Sequence, residues 1–342
     1  MSVVGIGVIG AGNWGKNLVR DFSQLPDSDL RWICDASSEA LGRLKRAFPA
    51  ARTTKSFDEV LGDPKVQAVA VAVPVVKHFE VAKAALEAGK HVFVEKPITL
   101  HSSEAEELIE IAEDKNLRLM VGHLLRYHPA VEKLQALIRS GELGEVYYIY
   151  AQRVNLGQVR KDENAMWSFA PHDISVILHL LDSDPVQVSA MGQAYLQDSI
   201  EDVSFLTMRF PSGQMANIQL SWLDPHKVRK FTIVGSQKMV TFDDMEPTEK
   251  IRIYDKGISR NYDSYGEWIS LRFGDIHIPR VDMGEPLKRE CQHFLDCVRS
   301  GDRPKTDGRE GLRVLRVLEA AQSSLDQGGV PVDLKSKGVL QS

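Results

Sequence analysis

The stretch Val3-Val4-Gly5-Ile6-Gly7-Val8-Ile9-Gly10-Ala11-Gly12-Asn13-Trp14-Gly15 decides the fold of this 342-residue chain. Val3 to Ile9 is a short apolar run, the pattern of a strand buried on both faces of a parallel sheet. It leads directly into G-x-G-x-x-G, and Lys16 to Phe22 can continue as a helix. In that setting the three glycines serve three ends: a tight turn, close approach of backbone to a pyrophosphate, and close packing of helix on strand. The helix N-terminus then presents N–H groups to the phosphates. A second strand, Leu30 to Cys34, ends in Asp35, twenty residues after Gly15, where a carboxylate accepts hydrogen bonds from an adenosine ribose. A glycine turn of this kind can also be purely structural. The strand–turn–helix context and the placement of Asp35 favour a dinucleotide. A 2′-phosphate about 4 Å from Asp35 would cost roughly 4 kcal/mol at an effective dielectric near 20, so the expected dinucleotide is NAD rather than NADP. Ala36-Ser37-Ser38 supplies no cation, and Arg43 and Arg52 are distant in sequence.

Working outward, residues up to about 122 alternate strand and helix. Ser56-Phe57-Asp58-Glu59 has the form of a capping box. Ala68 to Val73 is a continuous apolar run closed by Pro74, and Lys77 to Ala88 reads as a helix stopped by Gly89. His91 to Val94 is the next strand, followed at once by Glu95-Lys96-Pro97. A further helix takes Ser102 or Ser103 as its cap, and Leu117 to Val121 closes the series. Such alternation predicts a Rossmann-type, doubly wound parallel sheet over residues 1–122. Beyond it, residues 123–342 read as an α+β domain with an open, mainly antiparallel sheet. A helix spans about Pro129–Arg139, a strand Glu145–Val154, and an apolar helix about His172–Leu181. Strands Val203–Phe210, Ala216–Trp222 and Phe231–Val234 follow, with turns at Gly213 and Gly235. Asp255–Pro279 reads as loop with short strands, and helices return at Glu285–Arg299 and Gly311–Leu325.

Composition removes several classes of function. A net charge of −5 argues against a broad nucleic-acid surface. No apolar run approaches the roughly 20 residues that span a bilayer, and the N-terminus lacks a basic leader, so neither membrane nor export is expected. Cys34, Cys291 and Cys297 make no disulfide framework and no metal spacing, which fits a reducing cytoplasm and no bound metal.

Ligands of open α/β sheets bind beyond the carboxyl ends of the strands. The glycine turn, Val73-Pro74 with His78, and Glu95-Lys96-Pro97 all leave such ends. Lys96, fixed by the following proline, would face the crevice, although a lysine in a turn is commonly just a surface residue. A second cluster is Trp167-Ser168-Phe169-Ala170-Pro171-His172-Asp173. Pro171 can open a helix, which would set His172 near a helix N-terminus, where a neutral imidazole serves as a base. A lone histidine there can equally be a cap. His179 reads as structural. His123, Arg126 and His128 either line a cleft or solvate a helix start.

Taken together, Glu95-Lys96-Pro97 after G-x-G-x-x-G, with a histidine-bearing helix in the second domain, resembles the Gfo/Idh/MocA family across essentially the whole chain. The resemblance implies a reversible NAD(P)-dependent hydride transfer at a sugar or polyol carbon, with Lys96 and His172 facing the reacting hydroxyl. Two departures stand out: many members carry aspartates where this chain has Ser168 and Ser175. Asn164–Ile174, Gly122–Leu125 and Ser221–Pro225 resemble a narrower group, enzymes that oxidise the 3-hydroxyl of UDP-N-acetylglucosaminuronate. On this reading the cofactor meets Gly10, Gly12, Asn13, Trp14, Gly15, Asp35, Pro74, His78, Glu95 and Lys96. The substrate meets Arg126, Tyr127, Arg153, Arg160, Asn164, Trp167 and Asp173, the arginines serving as anion partners. Alternatives are a dehydrogenase of a free sugar, inositol or amino sugar, and a non-catalytic NAD-binding regulator. A broad apolar sheet face predicts a homodimer or homotetramer.

Overall fold

A computed structural model describes residues 3–259, 270–282 and 284–334. The chain forms two compact units, 1–127 with 284–316, and 128–283 with 317–342. The change of pattern near residue 122 suggested a single cut; instead the first unit takes back a segment from late in the chain.

The first unit opens with β1 (Val4–Ile9), α1 (Gly15–Gln24), β2 (Ser28–Cys34), α2 (Ser38–Ala47), β3 (Arg52–Thr54) and α3 (Phe57–Leu61). It continues with β4 (Ala68–Val71), α4 (His78–Glu87), β5 (His91–Glu95), α5 (Ser102–Asp114) and β6 (Leu119–Gly122). All pairings are parallel, in the order β3-β2-β1-β4-β5-β6. The strand order reverses between β1 and β4, so the crevice beyond their carboxyl ends is where a ligand belongs. β4 is buried on both faces, as its unbroken apolar sequence requires. The cap residues differ in detail from the sequence reading. Ser56 occupies the N-cap of α3 without making the side-chain bond. The N-cap of α5 is His101, whose backbone N–H reaches Glu104 Oε2 at 3.4 Å.

α8 (Pro286–Ser300) belongs to this unit because its apolar face completes the core. Phe294 meets Phe22 of α1 and Phe93 of β5 edge to face, with centroids 6.5 and 5.8 Å away, and all three rings are fully buried.

The second unit contains α6 (Pro129–Arg139), β7 (Val146–Val154), α7 (Ala165–Leu181), β8 (Gln187–Gln193), β9 (Val203–Arg209) and β10 (Met215–Ser221). It goes on with β11 (Val228–Gly235), β12 (Met239–Asp243), β13 (Ile251–Ser259) and β14 (Ser270–His277). α9 (Gly308–Asp326) runs through the boundary between the units, and β15 (Val332–Asp333) is the last strand. Nine strands form one sheet, β14-β13-β12-β11-β7-β10-β9-β8-β15, antiparallel except for the β7–β10 pair. The region read as loop with short strands, 255–279, holds the end of β13 and the whole of β14, strands of nine and eight residues paired with each other; residues 260–269 lie outside the described residues. α7 packs on one face of the sheet, over Ile149, Ala151, Leu206, Ile218 and Leu220, all buried.

Candidate active site

The glycine turn has the shape of a phosphate cradle. Gly10 has φ +89, and a side chain there would strike the backbone of Ala72; one on Gly15 would strike the carbonyl of Gly10. Gly12 differs: a Cβ there would meet nothing within 4 Å, so the space it leaves is available to a ligand. α1, which follows, has no acidic residue in its first turn and no side-chain cap, leaving its positive end for an anion. Asp35, at the end of β2, accepts from the Ala11 N–H at 2.7 Å and the Ser37 N–H at 2.8 Å, which docks its carboxylate beside the turn. Arg43 pairs with Glu39 at 3.6 Å and Arg52 stacks on Trp32 at 5.4 Å, so both of these cations are engaged elsewhere. These residues fit a dinucleotide. Asn13 and Pro74 are exposed near the same strand ends.

Trp14 is 41% exposed, and its indole N–H donates to Glu95 Oε1, tying the glycine turn to the end of β5. Glu95 itself is buried, and burial pushes its pKa up to about 7 against the opposing pull of the Trp14 bond and of Lys96. Lys96 follows, half-buried, at the carboxyl end of β5. His78 was expected to meet the cofactor. It is 2% exposed, with Nδ1 2.8 Å from the Pro97 carbonyl and Nε2 3.0 Å from the Val73 carbonyl. Its ring bridges the Val73 and Pro97 carbonyls, and burial lowers its pKa, so both ring nitrogens are engaged by the fold.

His123 follows β6 and is almost fully buried, with both ring nitrogens lacking a hydrogen-bond partner among the described residues. Burial, then the charges of Arg126 and Lys96, drive its pKa down to about 3, so it is neutral. Arg126 pairs with Glu310 at 2.9 Å. Tyr127, expected to meet substrate, is buried with its hydroxyl 3.2 Å from Thr306 Oγ1; it is a core residue of the first unit, not a surface contact.

In the second unit α7 begins seven residues earlier than the sequence suggested. Asn164 is its N-cap, accepting from the Trp167 N–H at 3.0 Å, while its amide donates to Glu201 at 2.8 Å and Gln322 at 3.1 Å. Trp167 donates from its indole to the same Gln322 oxygen at 2.9 Å. Pro171 therefore lies inside the helix, and His172 sits in its middle, half-buried. The expected influence of a helix N-terminus on His172 is thereby removed: the macrodipole acts within the first turn, and His172 is two turns in. Ser175 donates to the His172 carbonyl at 3.2 Å. Asp173 is buried and holds Arg153 by two bonds of 2.6 and 2.8 Å, so these two expected substrate contacts satisfy each other. Arg160 is half exposed and pairs with Glu163 at 3.0 Å. His128 caps α6 and lies 3.3 Å from Asp244. Arg229, absent from the sequence reading, lies over the ring of Phe169 at 5.1 Å. In sequence it is one of three cations, with Lys227 and Lys230, before the apolar run of β11, and nothing there sets it apart. Among the described residues no three His, Cys, Asp or Glu side chains form a metal-binding group, and no helix is long and apolar enough to cross a membrane.

Comparison with known proteins matches residues 4–123 to the oxidoreductase family with an NAD-binding Rossmann fold, and residues 131–241 to the GFO/IDH/MocA C-terminal domain. A UDP-N-acetylglucosamine 3-dehydrogenase from Acidithiobacillus ferrooxidans is 29% identical over 315 residues, covering 90% of this chain and 93% of that protein. Its solved structure superposes with a TM-score of 0.80 at 26% identity, over 96% of this chain and 99% of that one. A myo-inositol 2-dehydrogenase from Thermotoga maritima is 23% identical, covering 94% of this chain and 96% of that protein.

Proposed function

The chain belongs to the Gfo/Idh/MocA family of oxidoreductases, and from that premise we propose that it oxidises a ring hydroxyl of a nucleotide sugar with NAD, such as the 3-hydroxyl of UDP-N-acetylglucosaminuronate. The observation that carries this reading is Lys96 fixed at the end of β5, in the same strand-end crevice as the open cradle at Gly12 and the carboxylate of Asp35. Bound at the glycine turn, NAD supplies the hydride acceptor. His172 takes the proton of the reacting hydroxyl, and Lys96 donates to the same oxygen and stabilises the negative charge that develops there. Ser168 and Ser175 leave this chain without carboxylates at those two positions of α7, so Lys96 and His172 carry the proton transfer.

Lys96→Ala and His172→Ala are each expected to lower kcat by about a hundredfold or more. His172→Ala should leave the Kd for NAD near its wild-type value, since its role is toward the sugar. Near-normal turnover in His172→Ala would move the proton acceptor elsewhere. NADH absorbance with a panel of nucleotide sugars, free sugars and inositols identifies the substrate. If UDP-N-acetylglucosaminuronate yields no NADH while a free sugar does, the nucleotide-sugar reading fails. A neutral sugar or inositol is the second reading, and one observation favours it: Arg126 and Arg153, two of the expected anion partners, are held by Glu310 and Asp173.

A further inference from the structure

We propose that Arg229 reads an anionic group of the substrate, pairing with a carboxylate or phosphate oxygen beside the face of α7 that bears Phe169 and His172. The inference rests on the reaction proposed above. The β7–β11 register sets Arg229 directly opposite Arg153, and cross-strand partners point to the same face of a sheet. Two guanidinium groups thus share one neighbourhood, and the carboxylate of Asp173 there is committed to Arg153 by both oxygens. A second carboxylate that acts on Arg229, Asp244, lies 3.3 Å from His128 Nε2 and 3.5 Å from Lys250 Nζ.

Among the described residues Arg229 has only neutral acceptors. Its Nη1 donates to the carbonyls of Val154 and Val228 at 3.2 and 3.0 Å, and its Nη2 to Asn155 Oδ1 at 2.6 Å. A guanidinium has five N–H donors. Nε–H and one Nη2–H therefore remain without an acceptor among the described residues, and they provide two donors for an incoming oxyanion. The remaining side of the plane lies on Phe169, which fixes the group without neutralising it. Burial and the nearby Arg153 lower its pKa to about 10, so it is still charged at neutral pH, and an anion would relieve both effects. In α7, His172 lies one turn beyond Phe169, on the same side of the helix. The cation is therefore placed beside the residue assigned to the reacting hydroxyl, where the arginines expected from sequence are already paired.

The test is a binding titration of the NAD-loaded protein, wild type against Arg229→Gln and Arg229→Lys, with four probes: UDP-N-acetylglucosaminuronate, UDP-N-acetylglucosamine, glucuronate and myo-inositol. The expected result is a tenfold or greater loss of affinity for at least one anionic probe in Arg229→Gln. Arg229→Lys, which keeps the charge but not the two-pronged geometry, should lose about threefold or more. Affinity for NAD should stay within twofold. A loss with glucuronate assigns the partner as a carboxylate; a loss with UDP-N-acetylglucosamine and not with glucuronate assigns a phosphate. Wild-type affinity for every anionic probe in either folded variant overturns the proposal, as does failure of the wild type to bind any of them. NADH formation is read separately. Arg229-dependent binding without NADH from any probe would sink the proposed reaction and leave the anion site standing.

Discussion

The carboxyl of Glu95 is buried beside Lys96 and titrates at about 7, well above its ordinary value of 4.5. The sign of its effect on stability follows. The unfolded chain releases this proton near 4.5 and the folded chain only near 7, so folding loses stability as pH rises between those values and carries the full cost above them. A shift of this size corresponds to on the order of 3 kcal/mol at alkaline pH. Glu95→Gln keeps an acceptor for the Trp14 indole and removes the titration. Its Tm should therefore exceed that of the wild type at pH 8 and converge with it near pH 5; parallel Tm curves would show that Glu95 is not the titrating group. Asp35 sets a second expectation at this scale. With its carboxylate docked on Ala11 and Arg43 and Arg52 engaged elsewhere, NAD should bind at least tenfold tighter than NADP by titration. Tighter NADP binding would reassign the ribose site.

α7 depends on its first residue. Asn164→Ala removes the cap bond to Trp167 and the two bonds that its amide donates to Glu201 and Gln322. Cap loss costs about 1 kcal/mol and each further hydrogen bond about 1, so a loss of about 2–3 kcal/mol is expected from the urea midpoint. The start of this helix shows where the sequence was readable and where it was not. The βα units of the first unit were legible because apolar runs, glycine stops and the turn motif agree at each boundary. α7 was placed too late because a proline followed by an apolar run has the pattern of a helix start, whereas Asn164 three residues before Trp167 is a cap visible only once its bond is seen. The pairing of Arg153 with Asp173, 20 residues apart, is set by how a helix lies on a sheet, and periodicity says nothing of that. The length of β14 is not legible in the sequence, which suggests only short strands there, because β14 is largely exposed and lacks a clean alternation. Lys96 and His172 were named from a motif, and their roles await the variants above.

At the scale of the molecule, the first unit is discontinuous, and amphipathic α8 could not reveal from sequence which core it would fill. Phe294 is fully buried against Phe22 and Phe93, so Phe294→Ala should cost about 3–5 kcal/mol. A fragment ending at Tyr127 should likewise fail to give cooperative unfolding, because it lacks α8 altogether; a cooperative transition in that fragment would refute the assignment of α8 to its core. The nine-stranded sheet sets the last expectation. One face is covered by α7, and the other carries Tyr148, Tyr150, Phe205, Met191 and Met215, each at least 38% exposed. Register places Met215 opposite Tyr148 and Met191 opposite Phe205, and Tyr148 stacks on Tyr150 at 6.3 Å, so two apolar groups share this face with Thr207, Asn217 and Gln219 between them. Exposed apolar groups of this kind mark an association site, and a self-complementary face favours two-fold pairing. We propose a homodimer or homotetramer packed through it. Light scattering at micromolar concentration should give two or four chains, and Tyr150→Glu, which sets a charge at the centre of the face, should shift the protein toward monomer with its Kd for NAD unchanged. A wild-type monomer, or an unaltered assembly in Tyr150→Glu, would place any interface elsewhere.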